Sequence, residues 1–583
     1  MSHSRRISRF PVVLACLLTL LWACPAARAA SHADALLAGM TLEEKVGQLF
    51  MVWIEGPDVS PETAALVRAR HLGGVILYAT PGNIVSPRQV AALTAGLQAE
   101  ASRTRPGLGL LIGVDQEGGP VARLRQGFTV FPSQMAQAAT GQPGLVRRAA
   151  AATGRELAAV GINVDFAPVA DVNVNPANPV IGIRSFGSDP AAVARLTAAA
   201  TTGYGEVGVI CTPKHFPGHG DTAVDSHIGL PRVEHDAATL NRVDFPPFRA
   251  AFAAGAPAVM TAHVLAPALE PTDTPATLSR RVLHGVLRDR LDFSGVIFTD
   301  SLGMGAVAAT YGTPEAAVRA LAAGADILLI GADAGRPATD RTDAMDAVVT
   351  AVRSGRISPK RLDAAVAAVL RLKRRHGLLR AAALAHPAPV PAAGPATAAH
   401  AALARDIAAR ALTAFGPTAP LLPAPRDATT LVVRPRLGRE AVDAAAETGL
   451  AAWNGPKLLL LSADPDENAI AGAVAAATAA RRVVLLVTDA RHKAGQARLA
   501  ARLQAAAADR LVLVAAQSPY DLPLAPPARV RLASYGETPA GMTALERALF
   551  TNFRPTGRCP VVLPAAVPLQ SKQISSNLAS TPR

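Results

Sequence analysis

The segment KHFPGHGDTAVDSHIGLP, residues 214–231, places Lys214, His215, His219, Asp221, Asp225 and His227 within 14 residues. Pro217, Gly218 and Gly220 break any helical continuation, so the segment is expected to be a shaped loop. Three chemistries fit it. Asp225 and His227, two apart in an extended segment, fall on one face, where the carboxylate can fix the imidazole tautomer and the other ring nitrogen can exchange a proton. His215, His219, Asp221 and His227 could instead ligate a metal, although no HExxH helix or other standard zinc spacing is present. Lys214 could form a Schiff base, although no phosphate-binding glycine loop accompanies it.

Other segments carry chemistry too. In GVIFTDSLGMGAV (295–307), Asp300 suits either a nucleophile beneath a reacting carbon or a cap of the next helix. In IGVDQEGGPVARL (112–124), Asp115 can accept paired hydroxyl hydrogen bonds from a sugar, with Arg123 eight residues on. In DVNVNPANPVIGIRSFGSDP (171–190), Arg184 is flanked by Pro, Gly and Phe rather than by charges, which favours an inward side chain.

These groups need a scaffold. Apolar runs recur as LFMVWI (49–54), GGVILY (73–78), LGLLIGV (108–114), INVDFAPV (162–169), VGVICTP (207–213), PAVMTAHV (257–264), GVIFTD (295–300) and ADILLIG (325–331). Alanine-rich helical stretches separate them, and Thr41 and Glu44 are spaced as a capping box. Eight buried strands alternating with helices predict a (β/α)8 barrel over 30–380, with Asp115, Asp171, Lys214-His215, His263 and Asp300 at the strand ends that build barrel sites. An Ala/Pro-rich linker is expected over 381–400. Strands KLLLLSA (457–463), RVVLLVT (482–488) and RLVLVAA (510–516) then predict a smaller α/β sandwich domain over 401–568, followed by a polar tail, 569–583.

Composition narrows the function. The chain of 583 residues is 50% hydrophobic and 17% charged, enough to bury large cores. Four of its +14 excess charges lie in residues 1–29, no block of five basic residues occurs, and aromatics are 4%, which argues against nucleic acid as a partner. The basic start MSHSRRISRF, the apolar run PVVLACLLTLLWAC and Ala27-Arg28-Ala29 make residues 1–29 an export signal, giving a periplasmic or secreted protein. Arg5-Arg6 keeps twin-arginine export open and Cys24 a lipid anchor. Cys211 is expected to be a buried thiol unbridged to Cys559.

Taken together, MTLEEKVGQLF, DQEGGPVARL, NPVIGIRSFGSDP, KHFPGHGDTAVDSH and FTDSLGMGAV resemble, in order and spacing, the family 3 glycoside hydrolases. The KHFPGHGDTxxDSH loop is similar to that of the β-N-acetylglucosaminidase branch. SPYDL (518–522), ASYGETP (533–539) and FRPTGRCPVVLP (553–564) extend the resemblance more weakly into the family's C-terminal α/β sandwich. The resemblance implies a retaining mechanism with Asp300 as nucleophile, His227 as acid/base and Asp225 orienting it. It also implies that Asp115, Arg123, Arg184, Lys214 and His215 bind sugar and that no cofactor is needed. Pro120 stands where many relatives carry Arg. The implied substrate is terminal GlcNAc of a peptidoglycan-derived or chitin-type oligosaccharide or muropeptide, and a monomer is expected. A family 3 β-glucosidase or β-xylosidase, a GlcNAc phosphorylase and a silent cell-wall-binding protein are the alternatives.

Overall fold

The computed structural model describes residues 33–226, 229–386, 389–391, 393–419, 421–524 and 528–564. The expected export signal and Cys24, His227, and the tail 569–583 lie outside these residues. Among the described residues, no helix is long and apolar enough to cross a membrane.

Besides a small antiparallel hairpin, Gln116–Gly118 with Val121–Ala122, the first part of the chain holds eight short strands: β1 (Phe50–Trp53), β2 (Gly74–Ile76), β3 (Leu111–Val114), β4 (Val164–Asp165), β5 (Ile210–Cys211), β6 (Ala258–Met260), β7 (Val296–Phe298) and β8 (Leu328–Ile330). β8-β1-β2-β3-β4-β5 form one parallel sheet and β6-β7 another. Bridges Phe216–Thr261 and Phe298–Ile327 close the two into a barrel. Asp165 apart, the strand residues carry no charge, and all but Trp53 are buried, as a barrel covered by helices demands. Glycine makes room where the interior is tightest: a Cβ on Gly113 would lie 2.9 Å from the Phe166 ring, which fills that space.

Helix starts follow local chemistry. Thr41 and Glu44 form the reciprocal capping box of the helix Leu42–Gly47. Ser60, Ser86, Asp189 and Ser358 each cap a helix whose first residue is proline. β4 and β5 are far shorter than the apolar runs 162–169 and 207–213 suggest. Pro168 and Pro213 have no N–H to give the ladder, and the Thr212 N–H is shared between Asp165 O and Ala167 O.

The second sheet contains β9 (Thr413–Phe415), β10 (Thr430–Pro435), β11 (Lys457–Leu461), β12 (Arg482–Val487), β13 (Leu511–Ala515) and β14 (Val530–Ala533), in the order β9-β14-β13-β12-β10-β11. Only the edge strand β9 is antiparallel to its neighbour. Alternate residues feed two cores: Leu431, Val433 and Leu485 on one face, Val432, Val484 and Leu486 on the other. β9, β10 and β14 are not evident in the sequence pattern.

The segment after the barrel is docked rather than solvated. Leu378 and Ala381 belong to the barrel core, Ala381 N donates to Gly107 O, and Ala396 N to Gly127 O. The helix Ala398–Ala411 starts inside the expected linker, capped by Thr397. Leu403 and Ile407 of this helix pack with Phe131 and Leu145 of the barrel and Ala540 and Ala544 of the second domain. The second domain's recognisable motifs make its contacts. Tyr520 Oη donates to Asn173 O, Ser133 Oγ to Tyr535 O (2.6 Å), and Ser188 N to Pro560 O. A Cβ on Gly187 would fall 2.3 Å from Pro560 O, so only glycine permits that approach. Cys211 and Cys559 are both free thiols.

Candidate active site

The carboxyl ends of the strands open into one cavity of about 1000 Å³. Asp115, Arg123, Arg184, Lys214, His215, Asp225 and Asp300 all line it. Every described residue that the sequence singled out as its first choice therefore reaches one place.

At its floor lies a lattice of buried charge. Lys214 Nζ sits 2.7 Å from both Asp115 Oδ1 and Glu117 Oε1. Arg184 grips Glu117 through two parallel bonds of 2.8 Å, Nε to Oε2 and Nη2 to Oε1. Burial pushes the Glu117 carboxyl up, but Arg184 and Lys214 outweigh it and hold it far below the usual range. Burial works against the Lys214 cation as well, yet Asp115 and Glu117 raise its pKa overall. His215 Nδ1 donates to the buried Asp171 (2.7 Å), which leaves Nε2 as the acceptor facing Arg184 Nη2 at 3.4 Å. Arg123 stays exposed at the rim, 3.9 Å from Asp115.

This arrangement corrects two expectations. A Schiff base needs a neutral amine, whereas Lys214 is pinned as a cation between two carboxylates. The proposed metal ligands do not converge among the described residues. His215 faces a carboxylate and a guanidinium, and Asp221 turns to His235. His219 donates from Nδ1 to Thr222 Oγ1 (2.6 Å), and its Nε2 lies 3.2 Å from Ser226 Oγ. Burial lowers the His219 pKa to about 4, so it is a neutral clip for the loop that carries Asp225. Ala306 N donates to Ser226 O and ties that loop to the helix following Asp300.

Asp300 is half-buried, and its Oδ1 accepts from Ser301 N at 2.7 Å. Ser301 is fixed in turn: His263 Nε2 donates to its carbonyl (2.8 Å), Gly331 N donates to its hydroxyl, and that hydroxyl donates to Asp333. Asp300 caps no helix, since the helix Gly305–Ala323 starts five residues later without a side-chain cap.

Several lining residues were not singled out from sequence. Glu117 lay unread inside the DQEGG motif. Tyr78 and Asp333 follow β2 and β8, where the strand-end rule could have found them. Arg439, exposed at the cavity mouth, comes from the second domain and has no local signal. Its loop is built with care: Asp443 accepts from the N–H groups of Leu437, Gly438 and Arg439. Asp443 is held by the fully buried Arg434, whose other bonds go to Glu537.

Residues 41–372 match the N-terminal domain of glycosyl hydrolase family 3. The chain belongs to this family. It is similar to beta-hexosaminidase A of Pseudoalteromonas piscicida, 37% identical over 332 residues, which cover 54% of this chain and 55% of that one. The chain thus spans about half the length of that relative. It is also similar to a beta-N-acetylglucosaminidase/beta-glucosidase of Cellulomonas fimi, 36% identical over 406 residues and 67% of each chain. Among solved structures, the family 3 beta-N-acetylglucosaminidase of Paenibacillus sp. str. FPU-7 is 37% identical with a TM-score of 0.83, covering 91% of this chain and all of that one. The barrel followed by an α/β domain is therefore the family architecture as well as the observed one.

Proposed function

We propose that this protein is a retaining β-N-acetylglucosaminidase that removes non-reducing terminal GlcNAc. The observation that carries the reading is the shared cavity of Asp300 and the lattice of Asp115, Glu117, Lys214, Arg184 and His215. Such a lattice presents carboxylate acceptors and cationic donors in fixed positions, which suits the vicinal hydroxyls of a single sugar ring. Asp300, oriented by Ser301, attacks the anomeric carbon as the glycosidic bond breaks and forms a glycosyl ester. Protonated His227, oriented by Asp225, gives its proton to the departing oxygen. Neutral His227 then takes a proton from the water that hydrolyses the ester. A histidine in this position avoids the like-charge coupling two carboxylates would suffer. In this reading the protein acts outside the cytoplasm as a monomer, on peptidoglycan-derived or chitin-type chains, and residues 1–29 direct its export.

The name of the Cellulomonas fimi relative favours one second reading, a dual activity on glucosides. The test compares hydrolysis of aryl β-GlcNAc and aryl β-glucoside, with and without chelator, alongside Asp300→Ala. GlcNAc release that resists chelator and vanishes in the variant supports the proposal; preference for glucoside overturns the sugar assignment. His227→Ala should accumulate the glycosyl-enzyme on the activated aryl substrate, and unchanged rates on both activated and natural substrates would remove the dyad from the mechanism.

A further inference from the structure

A second, smaller cavity of about 310 Å³ adjoins the first, and Pro120, Val180, Ile181, Arg184 and Arg439 line both. Its far wall is the carboxyl edge of the second sheet. There the chain leaves β10 for β11 on one side and returns to β12 on the other, so β10 and β12 flank a topological switch point. Crevices at such points are where open α/β sheets bind ligands.

The groups in this crevice are polar and incompletely matched. Arg491 and Lys493 form no ion pair among the described residues, whereas the neighbouring His492 is paired with Asp489 at 2.7 Å. Asp521 is 1% exposed; its Oδ1 accepts from Arg491 N, while its Oδ2 has no hydrogen-bond partner among the described residues. Arg491 Nε is likewise buried without a partner. Arg491 Nη2 donates weakly to Tyr520 O at 3.3 Å, so the cationic side chains of Arg491 and Lys493 line the crevice with no carboxylate paired to them among the described residues. Burial raises the Asp521 pKa to about 7, so near neutral pH it sets only part of a negative charge against Arg439, Arg491 and Lys493.

We propose that this crevice is a binding site for a carboxylate carried on the leaving-group side of the substrate, held by Arg491 and Lys493 while the terminal sugar occupies the large cavity. The common wall of the two cavities is what allows one molecule to span them. The proposal rests on the glycosidase reading above, and it selects carboxylate-bearing muropeptides over neutral chitin-type chains.

Lys493→Glu is the decisive variant. Lys493 precedes the helix Ala494–Ala507, where an acidic residue suits the helix dipole, so folding is not at risk. The full chain is assayed with GlcNAc–MurNAc–dipeptide bearing free carboxylates, with its amidated counterpart, and with aryl β-GlcNAc. The wild type should favour the free carboxylates. Lys493→Glu should lower kcat/KM for that substrate about tenfold, through KM, while changing the other two less than about twofold. Arg491→Gln should act in the same direction. Equal losses on all three substrates, or no loss on any, overturn the site. Calorimetric binding of the free and amidated compounds to Asp300→Ala, with and without Lys493→Glu, repeats the comparison without turnover. Inactivity of the wild type on every GlcNAc substrate would therefore sink the glycosidase reading while the binding data still decide the site. Inorganic phosphate that accelerates aryl release in the wild type but not in Lys493→Glu would assign the crevice to a free oxyanion instead, and overturn the proposal.

Discussion

Lys214 and Lys373 are both buried in the same barrel, at opposite ends of its strands. Lys214 follows β5 and meets two carboxylates at 2.7 Å. Lys373 donates at 2.6 Å to Gln48, just ahead of β1, and forms no ion pair among the described residues. Their charges differ accordingly. Asp115 and Glu117 hold Lys214 cationic against its burial, whereas burial alone takes Lys373 down to about 7. At the end that opens into the cavity, the fold spends two carboxylates to keep a desolvated charge. At the opposite end the lysine has a neutral amide for a partner and its charge is weakened. The contrast matches the division of barrels into a reactive face and a stabilising one.

The largest effect that can separate the two ends is on turnover. Asp300→Ala should cost about 10⁴-fold in kcat on aryl β-GlcNAc with little change in denaturation midpoint, since Asp300 lies outside the lattice. Glu117→Gln comes next. It removes the negative charge shared by Lys214 and Arg184, turns one acceptor into an NH2 donor facing a cation, and should cost about 3–5 kcal/mol of stability, measured by denaturant titration, together with substrate affinity. A near-neutral result would break the comparison, because it would mean the lattice tolerates unpaired cations.

At the other end, the unfolded chain keeps the Lys373 proton up to its ordinary 10.5 while the folded chain releases it near 7. Stability should therefore rise with pH across that interval, and Lys373→Met should flatten this slope. At pH 7 the variant should be at least as stable as the wild type and retain full activity. Arg439→Ala should have the smallest effect: a KM increase of about threefold with stability unchanged, because Asp443 holds the loop through backbone N–H groups that alanine keeps.

Much of this was legible in the chain. The barrel strands are buried on both faces, so each reads as a short apolar run, and the polar residue closing it marks the reactive end: Asp115 after β3, Lys214 and His215 beyond β5, Asp300 after β7. What escaped depends on contacts made far along the chain. β10 contains Arg434 and Pro435, which argue locally against a buried strand. Arg434 is fully buried because Glu537, 103 residues later, neutralises it. Arg439 reaches the cavity only because two domains meet there. The fine division of labour inside the KHFPGHGD loop was hidden as well: His219, outwardly as reactive as His215, is a clip because Thr222 and Ser226 occupy its two nitrogens.

The helix Gln134–Ala139 belongs by sequence to the barrel, yet Met135, Ala136 and Ala139 are buried in the core of the second domain. During synthesis, the ribosome releases this helix long before the strands that cover it. Until residues 431–561 emerge, its apolar side keeps Ile183 beside it but lacks most of the core that covers it. A chain cut at residue 380 would therefore keep the lattice and Asp300 while uncovering much of the apolar side that Met135 presents, a surface on which truncated chains would adhere to one another.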